Sequence, residues 1–257
     1  GSYDLNRETY NGELTLSRFP LDRFLTVDSL GSASANFRLE GRYFSWPQAK
    51  TSVNAGIRQL FYKEHEYKDI TLQATLDKTH LRGTMVSKDP DAPLDLVFRG
   101  DSLQQQYQVG LGGYIGKVDL QALHLMQESL TMGLKVDLQG FIGEHSAYAL
   151  KARFDSLSMA DSRKTYTLGS LDIDMASDLK KTTLDVKTGD LQLTFRADTS
   201  LAGFGESAGK IAGIVGKQIA GKDIDMEQIK AELPVFSMHL KGDQNNAIAK
   251  FLKARNM

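Results

Sequence analysis

The sequence predicts a mainly β protein: one long antiparallel meander forming a curved or folded-over, groove-like sheet, capped by helices near its C-terminal end. Three observations carry this. Between Gly169 and Ala197, Leu171, Ile173 and Met175 alternate with Asp172 and Asp174, Leu184 and Val186 with Asp185 and Lys187, and Leu191, Leu193 and Phe195 with Gln192, Thr194 and Arg196. Period-two alternation gives a strand one apolar and one wet face. The breaks, at Asp178-Leu179-Lys180-Lys181 and Thr188-Gly189-Asp190, are short and polar enough for hairpins, so successive strands run antiparallel. The same arrangement fills most of the chain and gives way to helical spacing only after Ala197.

In order, Tyr10 to Ser17 reads as the first strand, with Leu14 and Leu16 on one face, and Phe19 to Leu25 crowds apolar residues around Pro20 as one or two helical turns. Ala33, Ala35, Phe37 and Leu39 form a second clear strand, and Trp46 beside Pro47 is expected to anchor a sheet corner. Val53 to Leu60 is a weaker strand, and Lys63-Glu64-His65-Glu66 reads as an exposed turn. Ile70, Leu72, Ala74 and Leu76 resume alternation, and a hairpin at Asp77-Lys78 leads to Leu81, Gly83 and Met85. Ser87 to Pro93 is a turn by composition, followed by a strand carrying Leu94, Leu96 and Phe98. Gly110, Gly112, Gly113 and Gly116 suit bends or bulges, and Asp119 to Met126 reads as a short helix with an Asp cap. Met132, Leu134, Val136 and Leu138 alternate next. Tyr148, Leu150, Ala152 and Phe154, extended by Leu157 and Met159, return to the opening meander, about a dozen strands in all.

The tail changes period. From Glu206 to Lys222, Ala208, Ile211, Ala212, Val215 and Ile219 recur at three- and four-residue steps, the mark of one helix face. Gly205, Gly209, Gly213 and Gly216 lower its propensity, which suggests close approach to a neighbour. Met226 to Leu233 reads as a second helix ended by Pro234, Met238 and Leu240 as a last strand, and Asn245 to Arg255 as a third helix. The division is a β body over 1–203 with a continuous helical cap over 204–257. The stripe of Ile211, Val215 and Ile219 needs an apolar partner, and the sheet face is the nearest one.

At 257 residues the chain can bury a sizeable core, and its length fits one large β domain or two smaller ones. A net charge of −1, from 31 Lys+Arg against 32 Asp+Glu, gives no field to attract nucleic acid, which is not expected as a partner. The absence of cysteine excludes disulfides, thiolate catalysis and Cys-ligated metals, and suits the bacterial periplasm without requiring it. The polar Gly1-Ser2-Tyr3-Asp4 opening is no signal peptide, and the abrupt ends suggest a segment of a longer protein.

Catalytic constellations are not apparent. His65, His80, His124, His145 and His239 fall singly on different elements without an i,i+4 pair, nucleophile elbow or zinc motif. His65 lies between Glu64 and Glu66, but nothing adjacent in sequence completes a metal geometry. Asp172 and Asp174 are the wet face of a strand, and the glycines at 110–116 lack the Lys-Ser pair of a phosphate loop. The expectation is a non-enzymatic protein with no catalytic residue, cofactor or metal.

Several short stretches, taken in order, carry a resemblance: Gly12-Glu13-Leu14-Thr15-Leu16 followed by Phe24-Leu25 and Asp28-Ser29-Leu30-Gly31; Leu39-Glu40-Gly41; Leu81-Arg82-Gly83 before Ser87-Lys88-Asp89; and Val118-Asp119-Leu120-Gln121-Ala122-Leu123. Over most of the chain they resemble the AsmA-like family as it occurs in Bacteroidota. The resemblance implies a long bacterial envelope protein, anchored in the inner membrane, that crosses the periplasm as a folded-over β-sheet with an apolar groove. It also implies a link to outer-membrane assembly and to carriage of phospholipid between membranes. This chain would be a periplasmic segment without the family's anchor or its outer-membrane-associated domain. Its partner would be phospholipid or another acyl-chain lipid or, in the alternative reading, an outer-membrane assembly protein that docks on it. The groove lining would then be Phe37, Leu39, Leu72, Met132, Leu134, Val136, Leu171, Ile173, Met175, Leu191, Leu193 and Phe195, with Ile211, Val215 and Ile219 on the capping helix. Alternation by itself does not distinguish an open groove from a sandwich closed on itself.

Overall fold

The computed structural model describes residues 1–24, 29–45, 48–103, 106–143, 147–160, 164–221, 226–243, 246 and 250. Fourteen strands follow one another in a single antiparallel sheet whose spatial order is the chain order. They are β1 (Ser2–Asp4), β2 (Thr9–Pro20), β3 (Leu30–Arg42), β4 (Lys50–Tyr62), β5 (His65–Asp77), β6 (His80–Ser87), β7 (Leu94–Leu103) and β8 (Gln106–Asp119) in the first part. Then come β9 (Thr131–Ile142), β10 (Tyr148–Ala160), β11 (Thr165–Ser177), β12 (Thr182–Thr188), β13 (Leu191–Ala197) and β14 (Phe236–Lys241). Among the described residues β1 and β14 each pair on one side only, so the sheet does not close.

The turn chemistry explains the meander. Lys63 and Glu64 are both left-handed, with φ of 48° and 64°, as a two-residue turn matched to strand twist requires. After β11, Asp178 donates its N–H to Lys181 O at 2.9 Å, and its Oδ1 accepts the N–H groups of Lys180 and Lys181 at 2.7 and 2.9 Å. Gly189, with φ of 58°, makes the turn between β12 and β13.

The sheet forms one layer. Among the described residues each strand packs chiefly against its own sheet neighbours, and the strands do not divide into two facing sheets. The main buried cluster, Leu134, Val136, Leu157 and Leu168, lies within the adjacent strands β9 to β11 and is flanked by Leu96, Ile115, Met132, Phe154, Met159 and Tyr166.

A line of irregularities crosses this layer from β2 to β11. Pairing slips between Leu16 and Phe19 in β2, at Arg58 in β4, between Ile115 and Val118 in β8, and between Phe154 and Leu157 in β10. Arg18, Asp69, Ser156 and Gly169 on the line are left-handed, with φ of 46°, 50°, 56° and 75°. Neighbouring strands register on one another there: Arg18 donates its N–H to Ser34 Oγ at 3.0 Å, Lys88 N–H to Asp69 O at 3.1 Å, and Ser158 Oγ to Gly133 O at 3.4 Å. Each bulge bends its strand and sharpens its twist, so the strands that carry these bulges bend at one common level, a crease. β6 and β7 stop at the crease, and residues 88–93 fill the gap beyond it. Pro93 O accepts from Gly116 N–H at 2.8 Å and Asp91 O from Asp119 N–H at 2.9 Å.

Several local expectations are corrected. His65 belongs to no exposed turn: it opens β5 and is only 9% exposed. Asp119 to Met126 is not helical. Asp119 Oδ1 accepts from Gln121 and Ala122 N–H, both at 3.0 Å, but Leu125 and Met126 both donate back to Leu120 O, which stops any helical ladder. The turns after Phe19 reduce to a 3₁₀ turn over Leu21–Arg23.

Between β13 and β14 lie α1 (Leu201–Gly221) and α2 (Met226–Glu232). α1 begins before Glu206 because Ser200 caps it, its Oγ accepting Gly203 N–H at 3.0 Å. Close approach does not explain the glycines, since a Cβ at Gly205, Gly209 or Gly213 would meet nothing within 4 Å. Among the described residues no helix is long and apolar enough to cross a membrane. Trp46, Pro47, His145, the side chain of Ile219 and most of the expected third helix lie outside the described residues.

Candidate functional site

The register sorts the sheet into two chemically different faces. One row of directly opposed residues runs from β2 to β14: Gly12, Leu39, Val53, Ala74, Gly83, Phe98, Leu111, Leu138, Ala152, Ile173, Val186, Leu193 and Leu240. Every member is apolar or glycine. At about 4.8 Å per strand the row is roughly 58 Å long. A parallel row runs from Leu14 through Phe37, Ala55, Leu72, Met85, Leu96, Gly113, Val136 and Phe154 to Leu171. Met175, Leu184, Phe195 and Met238 form a third.

The residues named from sequence fall within this face, but not all as open surface. Leu39 is 41% exposed, whereas Leu134 and Val136 are buried in the β9–β11 cluster and form its support. Phe37, Leu72, Leu171, Ile173, Met175, Leu191, Leu193 and Phe195 are half-buried. Met132 lies beyond the crease, opposite Val118 and Met159, where the bulges of β8 and β10 bring these residues into line. Leu14 and Leu240, near the flanks, are 54% and 66% exposed, and Val109 and Ile142 on the central strands are exposed as well.

The opposite face is a lattice of compensating charge. Arg196 holds Asp185 at 2.7 and 3.0 Å, Arg82 and His80 hold Asp101 at 3.0 and 2.6 Å, and Lys151 and Arg153 approach Asp174 and Asp172 at 3.4 and 3.8 Å. Hydrogen bonds from His80 and then Arg82 hold the Asp101 carboxyl below its ordinary range, and Arg196 does the same for Asp185. Shallow depressions lie on this face, one of about 310 Å³ bordered by Asp137, Lys151, Arg153 and Asp174. Cross-strand pairs of this kind solvate one side of the sheet without raising its net charge.

α1 meets the apolar face through Phe204, whose ring lies 5.0 Å from Phe195 and 5.7 Å from Phe236. Phe204 precedes the stripe read from sequence. Ile211 and Val215 are half-buried, Ala208 and Ala212 are exposed, and Lys210 pairs with Glu232 of α2 at 3.6 Å. Sequence reading also missed a buried polar cluster beyond the crease, where Asp89 of the 88–93 loop reaches His65. Asp89, one of two aspartates in a stretch of turn residues, gives no sign of burial in the sequence.

No protein family, curated protein or solved structure matches the chain.

Proposed function

We propose that this chain is a lipid-conduit segment of a bacterial cell-envelope protein, similar to TamB, the translocation and assembly module subunit, within the AsmA-like family. In this reading its apolar sheet face carries phospholipid through the periplasm between inner and outer membranes and so serves outer-membrane assembly. The observation that carries the reading is the uninterrupted apolar row from Gly12 to Leu240 on a single-layer sheet whose other face is charged. An acyl chain laid along that row leaves water at about 0.8 kcal/mol per methylene. Similar side chains at every strand hold it nowhere in particular, so it can shift along the row at small cost. The charged face keeps the segment in water while the headgroup remains solvated at the rim. No catalytic group is required.

Native mass spectrometry of the purified chain tests this, with binding of a fluorescent fatty acid to delipidated protein as a second measurement. Co-purified phospholipid, and binding weakened by Leu193→Glu with Val186→Glu but not by Gln192→Glu, are expected. Absence of lipid together with equal binding by all three proteins overturns the reading. A second reading, docking of an outer-membrane assembly protein, draws on β14: all six of its residues are exposed and, among the described residues, its outer edge is unpaired, a template for an added strand.

A further inference from the structure

The gap beyond the crease holds a polar cluster that lipid carriage does not use. His65, at the start of β5, is nine-tenths buried, and its Nε2 has no hydrogen-bond partner among the described residues. A buried imidazole nitrogen left unsatisfied is destabilising unless something else engages it. It lies 3.5 Å from Asp89 Oδ2, and Asp89 is itself only 1% exposed. Asp91, two residues on, brings a carboxylate oxygen so that all three ligand atoms lie within 4.8 Å of one another. We propose that His65, Asp89 and Asp91 bind a divalent transition-metal ion, zinc by preference, across the gap between β5 and the 88–93 loop.

The donor chemistry supports this choice. One imidazole nitrogen and two carboxylates suit a borderline ion, with bonds of about 2.0–2.2 Å to each. Two such ligands at a near-tetrahedral angle stand about 3.5 Å apart, which is the His65 to Asp89 separation. Asp89 is held in place for the role. Its Oδ2 accepts Lys68 N–H at 2.8 Å and its Oδ1 accepts the N–H groups of Asp91 and Ala92 at 2.9 and 3.1 Å, which leaves further lone pairs on Oδ2 for the ion. Asp91 is half-buried, and a water would supply the fourth ligand of a tetrahedral ion. The ion would tie the first residue of β5 to the loop that replaces β6 and β7, where the sheet lacks a continuous ladder. This revises the expectation of no metal drawn from sequence, which looked for ligands beside His65 in the chain.

Isothermal titration of the chelator-stripped full chain with zinc chloride, in excess magnesium, tests the proposal together with thermal melts. Saturable binding of one zinc per chain, a higher melting temperature with zinc, and affinity reduced at least about tenfold in Asp91→Asn and His65→Gln are expected. Asp91→Asn is the deciding variant if His65→Gln does not fold, because the Asp91 side chain can lose its charge without disturbing the Asp89 hydrogen bonds. No zinc binding by the wild-type chain, or binding unchanged in Asp91→Asn, overturns the site.

Discussion

Ser177 Oγ lies 2.9 Å from Thr182 Oγ1, across the turn joining β11 and β12, and this hydroxyl pair holds the root of α1. Thr182 donates on to Thr199 O at 2.8 Å, and Ser177 accepts Leu201 N–H at 2.9 Å. Thr182 is 1% exposed, so Thr182→Val keeps shape while removing the hydroxyl that Thr199 O accepts from and that the Ser177 hydroxyl donates to, at an expected cost of about 1–2 kcal/mol. Urea melts give the loss. Hydrogen exchange at Leu201 and Phe204 should quicken in the variant, and unchanged exchange would show that α1 is rooted elsewhere.

The single-layer sheet predicts graded sensitivity along its apolar face. Val136→Asp places a charge at a buried site and should cost more than about 3 kcal/mol. Leu193→Asp, half-buried between Val186 and Leu240, should cost about 1–2 kcal/mol, and Gln192→Asp on the other face less than about 0.5 kcal/mol. Equal losses at Val136 and Leu193 in denaturant melts would mean that a second layer covers β13.

Glycines with open space beside them are replaceable. Gly205→Ala, Gly209→Ala and Gly213→Ala should each stabilise α1 by up to about 1 kcal/mol, seen as added helical circular dichroism and a higher midpoint for loss of the helix signal. Destabilisation by any one would reveal a close neighbour on that side.

Acid should loosen the charged face. Asp101, Asp185 and Asp190 have folded pKa values lowered by hydrogen bonds from His80 and Arg82, from Arg196, and from Asn246 respectively. A carboxyl lowered on folding contributes stability above its unfolded value near 3.9 and loses it as pH falls through the folded value. The contribution of Asp185 and Asp190 should therefore be constant from about pH 7 to 5, and that of all three groups should decline below about pH 4. Asp101→Asn should flatten the acid limb of a melting-temperature profile, and an unchanged limb would remove Asp101 from the account.

The meander was legible because period-two alternation and short polar turns are local signals, and the register depends on little else. Leu171, Ile173, Leu193 and Phe195 could be assigned to one face without knowing their neighbours. The crease could not be read, because Arg18, Asp69 and Ser156 adopt left-handed conformations that their side chains do not announce. Nor could burial of His65 and Asp89, whose partners meet only after the chain has gone out along β5 and back along β6. The start of α1 was legible in principle, since Ser200 is a good cap, but the apolar stripe drew attention to Glu206 and beyond.

Because spatial order equals chain order, nearly every pairing in the sheet closes a short loop. Such a topology has low contact order, and its stability approximates a sum of strand terms and nearest-neighbour terms, as in a repeat array. Hairpins can form wherever the chain is first available and lengthen by zipping, so the sheet can grow from one end while the rest is still being delivered. The exception is the last addition, β14 onto β13, which has to wait for residues 198–235 to emerge and fold between them.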